Sequence, residues 1–249
     1  AYKLWNCIPI PVSSCYQPTL PLPSMETVPR IRRHEEFESD IAGQSFIDNS
    51  TLFKWYTEDH SVSKHLLTMY SIVRGMNAKR ILEIGFGRSS KVFARVAHEN
   101  GGVFTCCDRF DFSYLFSREE QEVTHFVHGN SDKVWDSIRE EKDLYDFAFL
   151  DHFSGEGISY RFCLREIITC MRKIRPGGII CIHDVADKRY PLHHLAHKLE
   201  RHPSINALIL PYQQGLAILQ KSGQRILHHS MEDYGIILKS GIQHRLLKH

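Results

Sequence analysis

The first residues whose types and spacing could do chemistry are Gly85 and Gly87, which follow an apolar stretch with the sequence ILEI. Two glycines so spaced after a strand let the backbone turn tightly and approach a ligand closely. Asp108 ends a second apolar stretch twenty-one residues beyond Gly87. A carboxylate in that place can accept hydrogen bonds from both hydroxyls of a ribose. The pattern therefore predicts a site for a nucleoside ligand.

Two more residues distinguish between kinds of nucleoside ligand. Ser90 stands where a dinucleotide-binding turn has its third glycine, at the point where the pyrophosphate meets the helix. Glu83 lies two residues before Gly85, and its charge would repel a pyrophosphate but attract a cation. We therefore favour S-adenosylmethionine, a sulfonium, over a nicotinamide dinucleotide. In the alternative interpretations, Glu83 caps the next helix and Asp108 is a turn residue.

A second group consists of Asp151, His183 and Asp184, which follow two other apolar stretches. The carboxyl ends of parallel strands meet at one edge of a sheet, so we expect these side chains to lie together. Methyl transfer to a hydroxyl or amine needs an aligned acceptor and a group that takes its proton, and we predict these three residues as the catalytic ones. They could instead bind a metal, with His183 favouring a transition metal over magnesium, or His183 could cap a helix.

Strand and helix signals alternate along the rest of the chain. The predicted strands are Arg80–Phe86, Val103–Asp108, Val123–Val127, Tyr145–Asp151, Ile179–Ile182, Ile205–Leu210 and Gly215–Gln220. Pro176-Gly177-Gly178 is expected to turn the chain into the fifth of them. The last two are joined by about four residues, which is too short for a parallel crossover. The expected fold is α/β, with a doubly wound, mostly parallel seven-stranded sheet and an antiparallel last strand.

Composition argues against several classes of partner. Among 249 residues, 31 Lys plus Arg against 29 Asp plus Glu leave a net charge of +2, which disfavours nucleic acid. The sequence contains no run of eighteen apolar residues, so no membrane partner is expected. The seven cysteines lack metal-site spacing and fall largely in apolar stretches, as expected of a reduced, cytoplasmic protein.

Residues 1–60 differ in character from residues 61–249, which hold the alternating elements. Six of the ten prolines lie in residues 1–50, which predicts an extended arm with one short helix around Arg33–Ile41. We expect the arm to line the acceptor site or to supply contacts in a homodimer, and residues 61–249 to bind the cofactor.

Taken in order, the motifs ILEIGFG, CCD, HGNSD, FAFLDHF and KIRPGGIICIHDV resemble those of class I S-adenosylmethionine-dependent methyltransferases. The resemblance covers about Ser61–Gln220, and within the class it is nearest to catechol O-methyltransferase-like small-molecule O-methyltransferases. It implies a cofactor site whose parts follow the chain: Glu83, Gly85 and Gly87 at the methionine, Asp108 at the ribose, Asn130, Ser131 and Asp132 at the adenine, and His152 and Phe153 flanking adenine and ribose. We also predict Ser90 and Asp151 as cofactor-binding residues.

The chain departs from the catechol-type pattern in ways that bear on the reaction. Those enzymes bind magnesium through an aspartate at the position of Asp151 and an Asp-Asn or Asp-Asp pair where this chain has His183-Asp184. Ser154 replaces their catalytic lysine, and Phe153 stands where the family often has tryptophan. The resemblance implies a small-molecule hydroxyl or amine acceptor and leaves metal dependence open. The alternatives are another enzyme on the same fold and a cofactor-binding protein without turnover.

Two further features are expected to be structural. The charged run Arg118–Glu122 predicts a solvated loop. The aromatic cluster is expected to belong to the core rather than to an adenine-binding wall, and it consists of Phe110, Phe112, Tyr114 and Phe116.

Overall fold

The computed structural model describes residues 45–59, 62–140, 144–153, 158–188 and 191–222. In this part of the chain seven strands form one sheet: β1 (Arg80–Ile84), β2 (Val103–Asp108), β3 (Thr124–His128), β4 (Tyr145–Leu150), β5 (Ile174–His183), β6 (Ile205–Leu210) and β7 (Leu216–Lys221). Their order across the sheet is β3-β2-β1-β4-β5-β7-β6. β7 runs antiparallel to both neighbours, and the other pairs are parallel. The predicted fold is confirmed, while the helix expected around Arg33–Ile41 lies outside the described residues.

The helices of the same part of the chain are α1 (Asn49–Thr57), α2 (Ser63–Gly75), α3 (Arg88–Asn100), α4 (Arg118–Val123), α5 (Ser131–Ser137), α6 (Tyr160–Lys173) and α7 (Pro191–Glu200), with a 3₁₀ turn at Ser113–Leu115. Alternate residues of β4 point to opposite faces of the sheet. Phe147 and Phe149 pack in one hydrophobic cluster with side chains of α1, α2 and α3. Ala148 and Leu150 pack in another with side chains of α5, α6 and α7. None of the described helices is long and apolar enough to cross a membrane.

The described end of the predicted arm belongs to the core. Asp48 caps α1, since its carboxylate accepts a hydrogen bond from the backbone N–H of Thr51 at 2.7 Å. Ile47, Leu52 and Trp55 are buried in the same cluster as α2 and α3. The folded unit therefore already includes Ile47, which lies before the boundary predicted at residue 60.

The expected turn at Pro176-Gly177-Gly178 lies within β5 as an interruption, after which regular pairing with β4 resumes at Ile179. The pairing of β4 with β5 shifts register between Tyr145 and Phe147. Gly177 has a φ of +78°, and a Cβ on Gly178 would lie 2.8 Å from the carbonyl oxygen of Asp146. The glycines thus form an irregularity within a longer strand, as bulges do.

The loop expected at Arg118–Glu122 is also wrong, because α4 begins there. The Ser117 hydroxyl accepts from the backbone of Glu120, and the Glu120 carboxylate accepts from the backbone of Ser117, which is a capping box. Glu120 is fully buried in an ion pair with Lys91 of α3. The aromatic cluster is divided: Phe112 and Phe116 are buried, whereas Phe110 and Tyr114 are exposed.

Candidate functional site

The two predicted groups meet at one edge of the sheet, where β1 and β4 lie side by side. Gly85 follows β1 with a φ of +104°, and a Cβ there would lie 2.5 Å from the carbonyl oxygen of Asp151. Its backbone N–H donates to the carbonyl of Cys107 at 2.8 Å. Only glycine lets the turn after β1 lie so close to the end of β4.

The contacts around Gly87 do not require a glycine at this position. Its φ is extended, and the nearest atom to an added Cβ is the hydroxyl oxygen of Ser89 at 3.7 Å. A Cβ would make only ordinary van der Waals contact at this position, so the fold itself does not require glycine there.

Asp108 ends β2 and orders both flanking turns. One of its carboxylate oxygens accepts from the backbone N–H of Phe86 and the other from that of Phe110, each at 2.9 Å. Each oxygen retains a further lone pair that can accept a ligand hydroxyl. The turn role and the ribose-binding role are thus compatible in one side chain.

Glu83 lies beneath the glycine turn rather than at its surface, so the expectation that its charge attracts a cationic ligand is wrong. It is fully buried, and the hydroxyls of Ser89 and Ser90 donate to its two carboxyl oxygens at 2.5 Å each. Burial raises the pKa of this carboxyl to about 8. The Ser90 hydroxyl also accepts from the backbone N–H of Gly87 at 3.0 Å, so the group holds the first turn of α3 against β1.

The predicted adenine-side residues come together through a residue that the sequence analysis missed, Glu166 of α6. Its Oε2 atom accepts from Nε1 of Trp135 at 2.9 Å and lies 3.2 Å from Nε2 of His152, and Ser131 also hydrogen-bonds to it.

Phe153 is buried with its ring centroid 4.2 Å from that of His152. Asn130 occupies the N-cap position of α5 without a side-chain capping hydrogen bond, and Asp132 is exposed. The overlooked signal was a charged residue between Cys163 and Ile167 on the buried face of α6.

Asp151, His183 and Asp184 form the cluster that the sequence predicted. Nδ1 of His183 lies 3.0 Å from Oδ1 of Asp151 and 3.2 Å from Oδ1 of Asp184. The His183 side chain is 1% exposed, against 27% for Asp151 and 15% for Asp184. Asp184 has a φ of +63°, in the left-handed region that aspartate adopts more readily than most residues. Burial, with the nearby charge of Asp151, raises the pKa of Asp184 to about 6.

A second histidine that the sequence analysis missed, His65 of α2, lies against this cluster. Its ring centroid is 5.7 Å from that of His183, and its Nε2 lies 3.1 Å from the carbonyl oxygen of Tyr212. Burial lowers the pKa of His65 to about 4, helped by the neighbouring His183. His65 lies among the apolar positions Val62, Leu66 and Met69, which hid it from a pattern search.

Residues 82–185 match a family model described as a methyltransferase domain. The chain contains a methyltransferase domain. The match includes both the glycine turn and the Asp151–His183–Asp184 cluster. No curated protein is significantly similar to the chain in sequence.

Solved methyltransferase structures share the fold. An O-methyltransferase from Bacillus cereus in complex with S-adenosylhomocysteine is 18% identical, with a TM-score of 0.53 over 76% of this chain and 97% of its own. A Staphylococcus aureus protein described as a caffeoyl-CoA O-methyltransferase is 16% identical, with a TM-score of 0.54 and coverages of 77% and 97%. A methyltransferase from Podospora anserina, bound to S-adenosylhomocysteine, is 15% identical, with a TM-score of 0.50 and coverages of 81% and 98%. The expected class I methyltransferase fold is confirmed.

Proposed function

We propose that this methyltransferase domain transfers a methyl group from S-adenosylmethionine to a hydroxyl or amine of a small molecule. The observation that carries the proposal is the contact between the two halves of the site. Gly85 of the turn proposed to hold the methionine lies against the backbone of Asp151, whose side chain belongs to the acid–histidine cluster. A methyl donor held by the turn would therefore lie beside groups able to take a proton from the acceptor.

The residues of the chain have distinct parts in this reaction. The acceptor oxygen or nitrogen attacks the methyl carbon in line, the electron pair of the broken bond stays on sulfur, and S-adenosylhomocysteine leaves. The proton of the acceptor goes to a carboxylate, and Asp184 suits this role because its pKa of about 6 leaves it mostly ionised near neutrality. His183, although predicted as a base, is the most buried of the three, and its Nδ1 lies within hydrogen-bond distance of Asp151, the carboxylate that it is placed to orient.

The same three side chains fit a divalent cation. Their donor atoms all lie within 4.8 Å of one another. Oδ1 of Asp184 is buried and receives no aligned hydrogen bond from the described residues, although Nδ1 of His183 is 3.2 Å away. Two carboxylates and one imidazole suit a transition metal. A metal bound there would hold the acceptor oxygen and favour its ionised form.

Turnover of labelled S-adenosylmethionine with a panel of phenols and amines tests the proposal. We expect methylation by the wild-type protein and a loss of about 10²–10⁴-fold in kcat for Asp184→Asn, because a proton acceptor is removed. Asp136→Asn, at an exposed aspartate, is the matched control. Activity that is lost in a chelator and restored by a divalent ion assigns the cluster to a metal, and activity unaffected by the chelator assigns it to the base. Full activity of Asp184→Asn would contradict both roles.

We also propose a location for this activity and a role for the N-terminal residues. The five cysteines of the described residues are free and buried, which agrees with a reduced, cytoplasmic location.

The contact of His65 with Tyr212 brings the turn between β6 and β7 to the cluster. We propose that the residues before Ile47 complete the acceptor site there or supply homodimer contacts, and that neither nucleic acid nor a membrane is a partner.

A further inference from the structure

Glu166 is a buried carboxylate, and both of its oxygens accept hydrogen bonds. Its side chain is fully buried, and burial alone would raise the pKa of its carboxyl. Hydrogen bonds from His152 and Trp135 lower it instead, to about 2. The second carboxylate oxygen accepts from Nε and Nη2 of Arg165 at 3.3 Å and 3.2 Å. A carboxylate that remains ionised inside a helix–sheet interface has its position and its charge fixed.

The partners of Glu166 come from two segments that follow strands of the sheet. Ser131 and Trp135 belong to α5, after β3, and His152 follows β4. One carboxylate thus links both segments that the cofactor proposal places beside the adenine. An ionised carboxylate only accepts hydrogen bonds, so Nε2 of His152, which faces it, carries the proton when the ring is neutral.

The other ring nitrogen of His152, Nδ1, differs from Nε2 in its hydrogen bonding. Nδ1 is buried and has no hydrogen-bond partner within the described residues. Contact with Phe153 and Phe162 holds the ring in place, so Nδ1 cannot turn towards another partner without breaking the bond to Glu166. A buried acceptor left without a donor costs free energy, which a ligand donor would recover.

We infer that Glu166 is a positioning residue: by holding the proton of His152 on Nε2, it presents Nδ1 as the acceptor for the exocyclic amino group of adenine. The inference rests on the proposed function, since the adenine is that of S-adenosylmethionine. Adenine carries an amino group where hypoxanthine carries a carbonyl oxygen, so this arrangement selects adenine by matching its donor and rejects a base that offers an acceptor.

The first experiment measures the proton directly and needs no ligand. Nitrogen-15 NMR distinguishes the protonated from the bare nitrogen of a histidine ring, and Glu166→Gln, Glu166→Leu and His152→Phe supply the comparison and the assignment. We expect the wild-type protein to carry the His152 proton on Nε2. Glu166→Gln should keep that form because its amide oxygen still accepts, and Glu166→Leu should give a mixture. A wild-type proton on Nδ1 would overturn the inference.

The second experiment measures selectivity by calorimetry with S-adenosylhomocysteine and its deaminated analogue S-inosylhomocysteine. The wild-type protein should prefer the adenine ligand by about tenfold, which corresponds to one hydrogen bond of about 1.4 kcal/mol. Glu166→Leu and His152→Phe should bind the two ligands about equally, and Glu166→Gln should keep most of the preference. A purely structural role would weaken both ligands by the same factor.

The controls separate this inference from the proposed function. Glu122→Leu, at an exposed glutamate of α4, should leave the preference unchanged. If Glu166→Leu fails to fold, His152→Phe and Glu166→Gln still decide the result. An unchanged preference in His152→Phe would overturn the inference while leaving the methyltransferase proposal intact. A wild-type protein that binds neither ligand would instead contradict the cofactor, with the NMR result still reporting on Glu166.

Discussion

Two buried glutamates of this domain differ in charge because their hydrogen-bond donors differ. Glu83 receives hydrogen bonds from two neutral hydroxyls, which do not offset its burial, and its pKa rises to about 8. Glu166 receives them from an indole, an imidazole and a guanidinium, and its pKa falls to about 2. Burial raises the pKa of both carboxyls, and only at Glu166 do the hydrogen bonds from His152 and Trp135 outweigh it.

The proton on Glu83 gives the domain a measurable dependence of stability on pH. Its pKa rises from 4.5 to about 8 on folding, so between these values the folded state holds more protons than the unfolded state. The free energy of unfolding should therefore fall as pH rises through this window. Glu83→Gln removes the titration, so the stability of this variant relative to the wild-type protein should increase from pH 5 to pH 8.

Urea unfolding of both proteins at the two pH values measures this effect. Glu122→Gln, at an exposed glutamate, controls for the general effect of removing one charge. A difference between Glu83→Gln and the wild-type protein that is the same at pH 5 and pH 8 would show that Glu83 is ionised in the folded state.

At the scale of elements, a buried ion pair fixes α4 against α3. Lys91 of α3 and Glu120 of α4 are both fully buried, and Lys91 also donates to the carbonyl of Leu115 at 3.2 Å. Removing one partner of a buried pair leaves the other charge uncompensated, which typically costs about 3–5 kcal/mol. Lys91→Met should lose about that much stability in chemical unfolding.

The double variant Lys91→Met with Glu120→Gln tests the cause of this loss. It leaves no uncompensated charge, so it should recover part of the stability that Lys91→Met loses. If the double variant is as unstable as the sum of the two single variants, the ion pair is not what couples the helices.

The same elements show what the sequence could and could not predict. The apolar strands and the short β6–β7 connection predicted the sheet, because period and loop length are local properties. The charged run at α4 was mistaken for a loop, because burial of Glu120 depends on a lysine 29 residues away in sequence. Glu166 and His65 were missed for the same reason, since their partners, such as Trp135, come from other elements. Polar residues on apolar helix faces were the available signal.

At the scale of the whole molecule, the site lies where the direction of strand succession reverses. β2 and β3 extend the sheet on one side of β1, and β4 begins the other side. Parallel α/β sheets bind ligands at such a point, beyond the carboxyl ends of the strands. The glycine turn and Asp151 follow β1 and β4, and Asp108 ends β2, so the topology brings together the residues proposed to bind the cofactor.

The measurement that tests the central claim most directly is calorimetric titration with S-adenosylhomocysteine and with NAD. We expect the wild-type protein to bind S-adenosylhomocysteine and not NAD. Asp108→Ala should weaken binding by about 2–4 kcal/mol because it removes charged hydrogen bonds to the ribose hydroxyls. Asp111→Ala, at a nearby aspartate whose carboxylate accepts from Ser113, should bind like the wild-type protein. Failure of the wild-type protein to bind S-adenosylhomocysteine, or equal affinity in Asp108→Ala, would contradict the account.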